Sequence, residues 1–438
     1  MANMTPQEQL MLELINRARM DPNAEAARYG IALNEGLAAG TISGASKQVL
    51  AGSDTLAAAA DNHAKWMLVN NDMVHNETGG TGFTGTTPED RMRAAGYQFD
   101  GPAWWNGENI AVAGRSEAMT DALATQFILE QHKALFVDTF DGGRGHRLNI
   151  LSDHFQEVGI GQQTGPFHFS NGTFNSSVIS EDFAKAGTKV FITGVVYNDT
   201  VVNDNFFSVG EQDAGRSVSS AGAATDQTGA GGGYELLYGS GGNKSVTFDL
   251  ATGDVTVGVG LGATNAKLDV VNGKQVWTDT SITSVSSNVK EIHALGLNAI
   301  NLDGGSSSQW IHGNDASNVI TGHTGHDRLF GEGGADSFVF FKGDTSSTRS
   351  TADTIYDFSH AEGDIIDFSH RDANSLTAGD QEFTFIGSQA FHNVAGELHY
   401  IQGKSDTWIE GDTNGNGKAD FIVRLDDAMS LAQSDFDL

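Results

Sequence analysis

The chain has 438 residues, a formal net charge of −31, 39% apolar residues and no cysteine. That length calls for two or three domains, and the acidic balance makes nucleic acid and anionic membranes poor partners unless a cation bridges them. Without cysteine there are no disulfides and no thiolate metal sites, and no window is apolar enough for long enough to span a bilayer.

The first segment, MANMTPQEQLMLELINRARM, has no apolar run behind a basic flank, so an ordinary signal peptide is not expected. Thr5, Pro6 and Glu8 form a capping box, and Leu10, Met11, Leu14, Ile15 and Ala18 then fall on one helical face. Further helices are predicted over residues 56–69 and 116–136, and strands over 157–161 and 189–197. His63 and His132 read as polar positions on helix faces. Trp104 and Trp105 line a cleft or join the core. These elements predict an α-β-α sandwich over residues 1–200. Between 201 and 294 the runs YELLYG, KSVTFDL, DVTVGVG and KLDVV read as strands of a small sandwich or a β-rich linker, with residues 219–233 (SSAGAATDQTGAGGG) as a flexible loop.

Residues 295–438 open on a repeat. Leu302, Ile311, Ile320, Leu329 and Phe338 fall nine residues apart, within segments approximating Gly-Gly-x-Gly-x-Asp-x-apolar-x. Glycines permit tight turns, each short strand points one apolar residue inward, and stacked turns predict a parallel β-helix, the β-roll. Aspartates and turn carbonyls of adjacent coils then offer calcium hard oxygen ligands. Without the ion those carboxylates repel one another, so folding and binding are coupled. Asp327 and Asp336 hold the aspartate position of the last two segments; Asn318 and Gln309 stand there in the first two.

Residues 304–338 resemble RTX repeats, and residues 331–438 resemble the C-terminal domain of serralysin-type proteases. The matching stretches are GGADSFVF, DTIYDFSHAEGDIIDFS, GDQEFTFIGSQAFHNVAGELHY and GDTNGNGKADFIVRL. The resemblance implies a secreted, extracellular protein, type I secretion machinery as a partner, and an export signal near the terminal SDFDL. It also implies further calcium ligands at Asp357, Asp364 and Asp367. Residues 412–420 (DTNGNGKAD) read either as the front of an EF-hand-like loop, with Asp412, Asn414, Asn416 and Asp420 as ligands, or as an Asn-Gly turn; the twelfth position is Val423 rather than glutamate. The serralysin motif H-E-x-x-H is missing, since none of the 14 histidines precedes a glutamate.

Four features remain: His75 in DMVHNET, Glu108 in NGENIA, Glu130 in QFILEQH and His146 in GRGHRLNI. In this order, over residues 5–200, they resemble the bacterial branch of the CAP superfamily of pathogenesis-related and cysteine-rich secretory proteins. That family places two histidines and two glutamates in one cleft. His75, Glu108 and His146 match directly, and Glu130 keeps the spacing of three from an aromatic residue, Phe127. HKALFVDTFDGGR, before His146, reads as an insertion. A carboxylate beside an imidazole raises its pKa and sets its tautomer. Two histidines and a carboxylate also suit zinc or another divalent metal, and they equally suit a buried structural network. The absence of G-x-S-x-G and of cysteine speaks against acyl transfer. Three functions follow: a secreted calcium-binding protein whose cleft takes a metal or a small, lipid-like ligand; a metal-dependent hydrolase acting on protein or nucleic acid; or a surface adhesion protein.

Overall fold

In the computed structural model, which describes residues 4–101 and 103–438, the chain opens with the expected capping box. Thr5 Oγ1 accepts from the Glu8 amide at 3.3 Å, and the Glu8 carboxylate accepts from the Thr5 amide at 2.8 Å. Helix α1 then runs Pro6–Met20, followed by α2 (Pro22–Arg28), α3 (Asp54–Asn70), α4 (Pro88–Ala94), α5 (Asp121–Val137) and α6 (Gly145–Ile150). Strands β1 (Ala51–Gly52), β2 (Trp105–Arg115), β3 (Glu157–Phe169) and β4 (Gly172–Lys185) form a mixed sheet in the order β1-β3-β4-β2. Strand β2 is therefore an edge.

Residue parity along the strands sets the layers. A Cβ at Gly159 would lie 1.9 Å from the Leu56 carbonyl carbon, and one at Gly161 would lie 2.2 Å from the Asp61 amide nitrogen. The two glycines of VGIG thus let the backbone of α3 rest directly on β3. In register beside them on the same face stand Asp182 and Ser180 of β4, and Glu108 of β2 opposes Asp182. The other parity meets α5: Gln162 Nε2 donates to the Ala124 carbonyl at 3.1 Å, and Ser177 Oγ donates to Gln131 Oε1 at 3.0 Å. Helices cover both faces of this sheet.

Strand β5 (Val190–Tyr197) pairs antiparallel with Gly233–Tyr238 and parallel with Ala266–Val271. Buried Lys267 in the last of these strands reaches Glu13 of α1 at 2.6 Å and Asp269 at 2.9 Å. Ser217–Ser220 and Asp226–Gln227 also pair, so the stretch expected as a flexible loop carries ladder residues. The chain divides into two compact units. One holds residues up to 242 with 248–250 and 261–272; the other holds 243–247, 251–260 and 273–438. Residues 201–294 contribute to both.

In the second unit, successive strands alternate between two parallel ladders. Ile282, Leu302, Ile320, Phe338, Ile366 and Phe436 stand in register down one ladder. Val276, Ile292, Ile311, Leu329, Ile355 and Leu425 stand in register down the other. All twelve are buried, from 0% to 8% exposed, each worth about 1.5–3 kcal/mol by removal from water. The glycine that opens each nine-residue segment leaves room for the side chain at the aspartate position of that segment: a Cβ at Gly331 would come within 2.2 Å of Asp336 Oδ2, and one at Gly313 within 2.4 Å of Asn318 Oδ1. The second ladder ends in an antiparallel meander of Phe421–Leu425, Thr407–Asp412 and Glu397–Gln402. No helix among the described residues is long and apolar enough to cross a membrane.

Candidate functional site

His75 and His146 approach the edge strand β2 from opposite faces of the sheet. His75 lies in the loop after α3, on the Glu108 side. His146 lies on α6, whose Asn149 donates to the Glu108 carbonyl at 3.2 Å and to Asn109 Oδ1 at 2.9 Å. The two imidazole rings face each other, 29° from parallel, with centroids 6.4 Å apart. Each is held through Nδ1 by a buried carboxylate: His75 by Glu108 Oε1 at 2.8 Å, and His146 by Asp138 Oδ1 at 2.7 Å. Holding Nδ1 leaves Nε2 on the opposite edge of each ring.

Behind His75 the carboxylates are clamped. Arg91, fully buried on α4, donates to Glu108 Oε2 and lies 3.8 Å from Glu77. Glu77 faces His63 at 3.1 Å and accepts from the Thr84 amide at 2.8 Å. Burial alone would push Glu108 up, but the hydrogen bond from His75 and the charge of Arg91 hold it below its ordinary pKa. Asp182, opposite it on β4, is pushed well up by burial and by the Glu108 charge. Glu108 is therefore the ionised member of the two. On the far face burial pushes Glu181 up to about 7, although Asn109 donates to it. The hydrogen bond to Asp138 raises His146 against its burial.

Of the four cleft residues expected from the sequence, the structure brings His75, Glu108 and His146 together and leaves Glu130 out. Glu130 pairs with Arg115 and accepts from Gln126 at 2.9 Å, half exposed to solvent. Arg115 ends β2 seven residues beyond Glu108, about 23 Å along the strand. The second carboxylate beside the histidines is Asp138, which holds His146 and lies in the stretch read as an insertion. A three-ligand zinc site is likewise not formed. Both Glu108 oxygens are engaged, and among the described residues no three His, Asp or Glu side chains converge as a metal cluster. His63 and His132 are not polar positions on helix faces but fully buried, the latter against Glu25 at 3.0 Å. Trp105 is 47% exposed and stacks on His154 with centroids 3.9 Å apart.

In the second unit the aspartates of the coils form a vertical relay. Asp327 Oδ1 accepts from the Gln309 amide and Asp353 Oδ1 from the Asp327 amide, each at 2.8 Å. Asp336 accepts from the Asn318 amide at 2.7 Å and Asp364 from the Asp336 amide at 2.9 Å. Asp357 accepts from the Gly331 and Glu332 amides, each at 2.9 Å. The second oxygens of Asp327 and Asp353 are buried with no hydrogen-bond partner. Burial first, then neighbouring aspartates, pushes Asp327 and Asp336 up to about 7 and Asp353 to about 8. Buried carboxylates with spare oxygens fit a hard cation, though here too no three of them converge among the described residues. The side chain of Asn318 is not among those spare groups: its Oδ1 accepts from Asn314 and its Nδ2 donates to Ile300. Sequence reasoning missed Asp353 and Asp344. Asp344 lies close enough to both Asp327 and Asp353 to raise them, yet neither residue fits the nine-residue template.

Several expected calcium positions are otherwise engaged. Backbone amides take both oxygens of Asp357, and those of Asp336 and Ser359 take both oxygens of Asp364. Asp367 sits within a ladder and caps the Ser369 amide and hydroxyl through one oxygen. Residues 412–420 form the turn between two antiparallel strands. Asp412 accepts from the amides of Asn414, Gly415, Asn416 and Gly417, and Asp420 is filled by Thr413 and the Asn414 side chain. Backbone donors occupy the oxygens an EF-hand would give its ion, so the Asn-Gly turn is the reading that fits.

Comparison with known families agrees with this division. Residues 12–175 match the model of the cysteine-rich secretory protein family, CAP, and residues 305–437 match the peptidase M10 serralysin C-terminal model. The chain carries a CAP domain and a serralysin-type C-terminal domain. The His75–Glu108–His146 group lies wholly within the CAP match, and the relay of aspartates lies wholly within the serralysin-type match. A curated relative, the pre-baseplate central spike protein Gp5 of Enterobacteria phage T4, is 34% identical over 65 residues. That stretch is 15% of this chain and only 10% of the phage protein. Among solved structures, the AlgE6R2 subunit of the Azotobacter vinelandii mannuronan C5-epimerase matches at 22% identity and a TM-score of 0.25, over 34% of this chain and 86% of that one. The AlgE6R3 subunit of the same enzyme matches at 21% and 0.19, over 32% and 77%.

Proposed function

We propose that this is a secreted, calcium-binding protein whose CAP domain binds a small ligand with an anionic or polar head group between His75 and His146. In this reading the C-terminal third is a β-roll, exported unfolded by a type I system and ordered by calcium outside the cell. The serralysin-type match supports secretion and calcium. The unpaired second oxygens of Asp327 and Asp353 support an ion at that end of the coil. When bound, calcium would neutralise the carboxylates that otherwise repel; Asp327, Asp336 and Asp353 are the residues that would hold it, since backbone amides take both oxygens of Asp357 and of Asp364.

One observation carries the ligand reading. Two facing imidazoles are each fixed through Nδ1 by a buried carboxylate, which aims both Nε2 atoms away from the clamp. With Nδ1–H given to the carboxylate, Nε2 accepts from a polar head while the imidazole is neutral and donates to an oxyanion once the ring is protonated, a state that the Asp138 hydrogen bond favours at His146. Glu108 orients His75 and is itself committed to Arg91, so it has no free oxygen with which to act as a base. The test is titration of the calcium-loaded full chain with decanoate, followed by calorimetry. Saturable binding that weakens about tenfold in His75→Ala and His146→Ala supports the reading; binding untouched by both variants overturns it. Deleting residues 380–438 is expected to leave the protein inside the producing cell, and continued export would exclude the type I route.

A further inference from the structure

A second groove, of about 500 Å³, opens where α6 runs into β3 and faces the start of β2. It shares Asn149 with the histidine site but none of its titrating groups. Trp105 forms its most exposed apolar wall, and a large apolar ring left half in water has a cost. The ring is also pinned: His154 stacks on one face at 3.9 Å with an interplanar angle of 8°, so the indole presents a fixed platform. Around it the lining alternates. Leu151 and Phe155 are buried apolar walls, while Ser43, Asn106 and Lys47 are hydrogen-bonding groups.

The Lys47 side chain is 5% exposed and reaches Asp153 at 3.3 Å, a partner that is itself 71% exposed. An ammonium carries three N–H donors, so Lys47 keeps donor capacity on the groove side, and Asp153 offsets its charge. The groove is therefore nearly neutral, polar at its rim, flat and aromatic along one wall. A fatty chain would leave Lys47 and Asn106 unpaired at a desolvation cost. A strongly anionic ligand would meet Asp153 and a chain of net charge −31. What suits a flat aromatic wall opposite scattered neutral donors and acceptors is a molecule with an apolar face and a hydroxylated rim.

We infer that this groove binds a neutral sugar, with one pyranose ring laid on Trp105 and its hydroxyls meeting Lys47, Asn106 and Ser43. The volume lies in the range of small-molecule sites and leaves space for about two rings. This inference does not depend on the ligand proposed for the histidine pair.

The experiment uses the calcium-loaded full chain and a panel of neutral oligosaccharides (cello-, malto-, manno- and chito-tetraose), titrated to millimolar concentration by calorimetry and saturation-transfer NMR. Saturable binding of at least one of them is expected. Trp105→Ala should weaken it about tenfold or more through loss of the aromatic face, Trp105→Phe should keep part of it, and His75→Ala should leave it unchanged. Because Trp105 is half exposed, Trp105→Ala should keep the native circular dichroism spectrum; if it does not, the graded loss in Trp105→Phe and in Lys47→Met decides. The inference is overturned if no sugar of the panel binds, if binding persists in Trp105→Ala with the fold intact, or if Trp105→Ala abolishes binding of decanoate rather than of a sugar.

Discussion

Arg91→Met tests whether the clamp behind Glu108 holds this part of the CAP domain together. Methionine keeps the apolar stem and removes the charge. Arg91 is buried beside two carboxylates: it contacts Glu108 directly and lies 3.8 Å from Glu77. At an effective dielectric of about 20, a unit pair at that distance is worth about 4 kcal/mol. Burying the guanidinium offsets part of this, but removing one member of a buried pair strands the other, at a typical cost of about 3–5 kcal/mol. Here two carboxylates lose their cation, with Asp182 close behind them, but Glu108 keeps His75 and Glu77 keeps His63 and the Thr84 amide, so the lower half of that range is expected. The assay is urea unfolding of the calcium-loaded chain, read by hydrogen exchange in peptides from α3, α4 and β2. Glu108→Gln should relieve part of the loss, so the double variant should be more stable than the sum of the two single losses implies. A cost for Arg91→Met under about 1 kcal/mol, or strict additivity with Glu108→Gln, would refute the clamp.

Chelating calcium should be most damaging at high pH. Asp327, Asp336 and Asp353 have folded pKa values raised to about 7 or 8. Their contribution to the metal-free fold is therefore fully present below the unfolded carboxylate value and lost as pH rises through 7 to 8. Circular dichroism of chelated protein should show more strand at pH 5 than at pH 8.5, and the opposite trend would count against the relay. Asp353→Asn should lower calcium affinity measured by calorimetry, whereas Asp367→Asn, at a cap, should not. Asp138→Asn should lower the titration midpoint of His146 in an NMR pH series, because the hydrogen-bonding anion that raises it is gone; an unmoved midpoint would exclude that partner. Glu130→Gln breaks only a half-exposed pair, so it should change stability by less than about 1 kcal/mol and leave ligand binding at His75 and His146 intact.

Much of the fold could be read from local chemistry. The capping box at Thr5 and Glu8 places the start of α1 to the residue. The nine-residue apolar phase is visible because each coil must point one side chain inward, and Leu302, Ile320 and Phe338 duly share one ladder while Ile311 and Leu329 share the other. The middle region resisted because its strands answer to distant partners: Ala266–Val271 pairs with β5 some seventy residues earlier. A local pattern cannot announce such a partner. The site was half legible for the same reason. His75, Glu108 and His146 sit in distinctive motifs. Arg91, Glu77 and Asp138 look like ordinary surface charges of a helix and two loops, and only the closed sheet edge shows that they are buried against the histidines. Glu130 misled because its spacing from Phe127 is right, but it lies two turns before the end of α5 and meets Arg115, while the C-cap of that helix, Asp138, is the residue that reaches His146.

That edge explains why the site is polar at all. A strand paired on one side only leaves its outer backbone groups without sheet partners, and β2 is such a strand over its whole length. Near Glu108 the exposed edge is met by Asn149, which takes up the Glu108 carbonyl and ties α6 to β2. Fixing α6 there brings His146 to the same edge that His75 reaches from the other face. Two imidazoles then meet across one strand without either leaving its own layer. The carboxylate under each is buried by that layer's helix or loop, so the pair is oriented by the fold before any ligand arrives. A ligand that bridges them need order no further side chain, and this is where its affinity would come from.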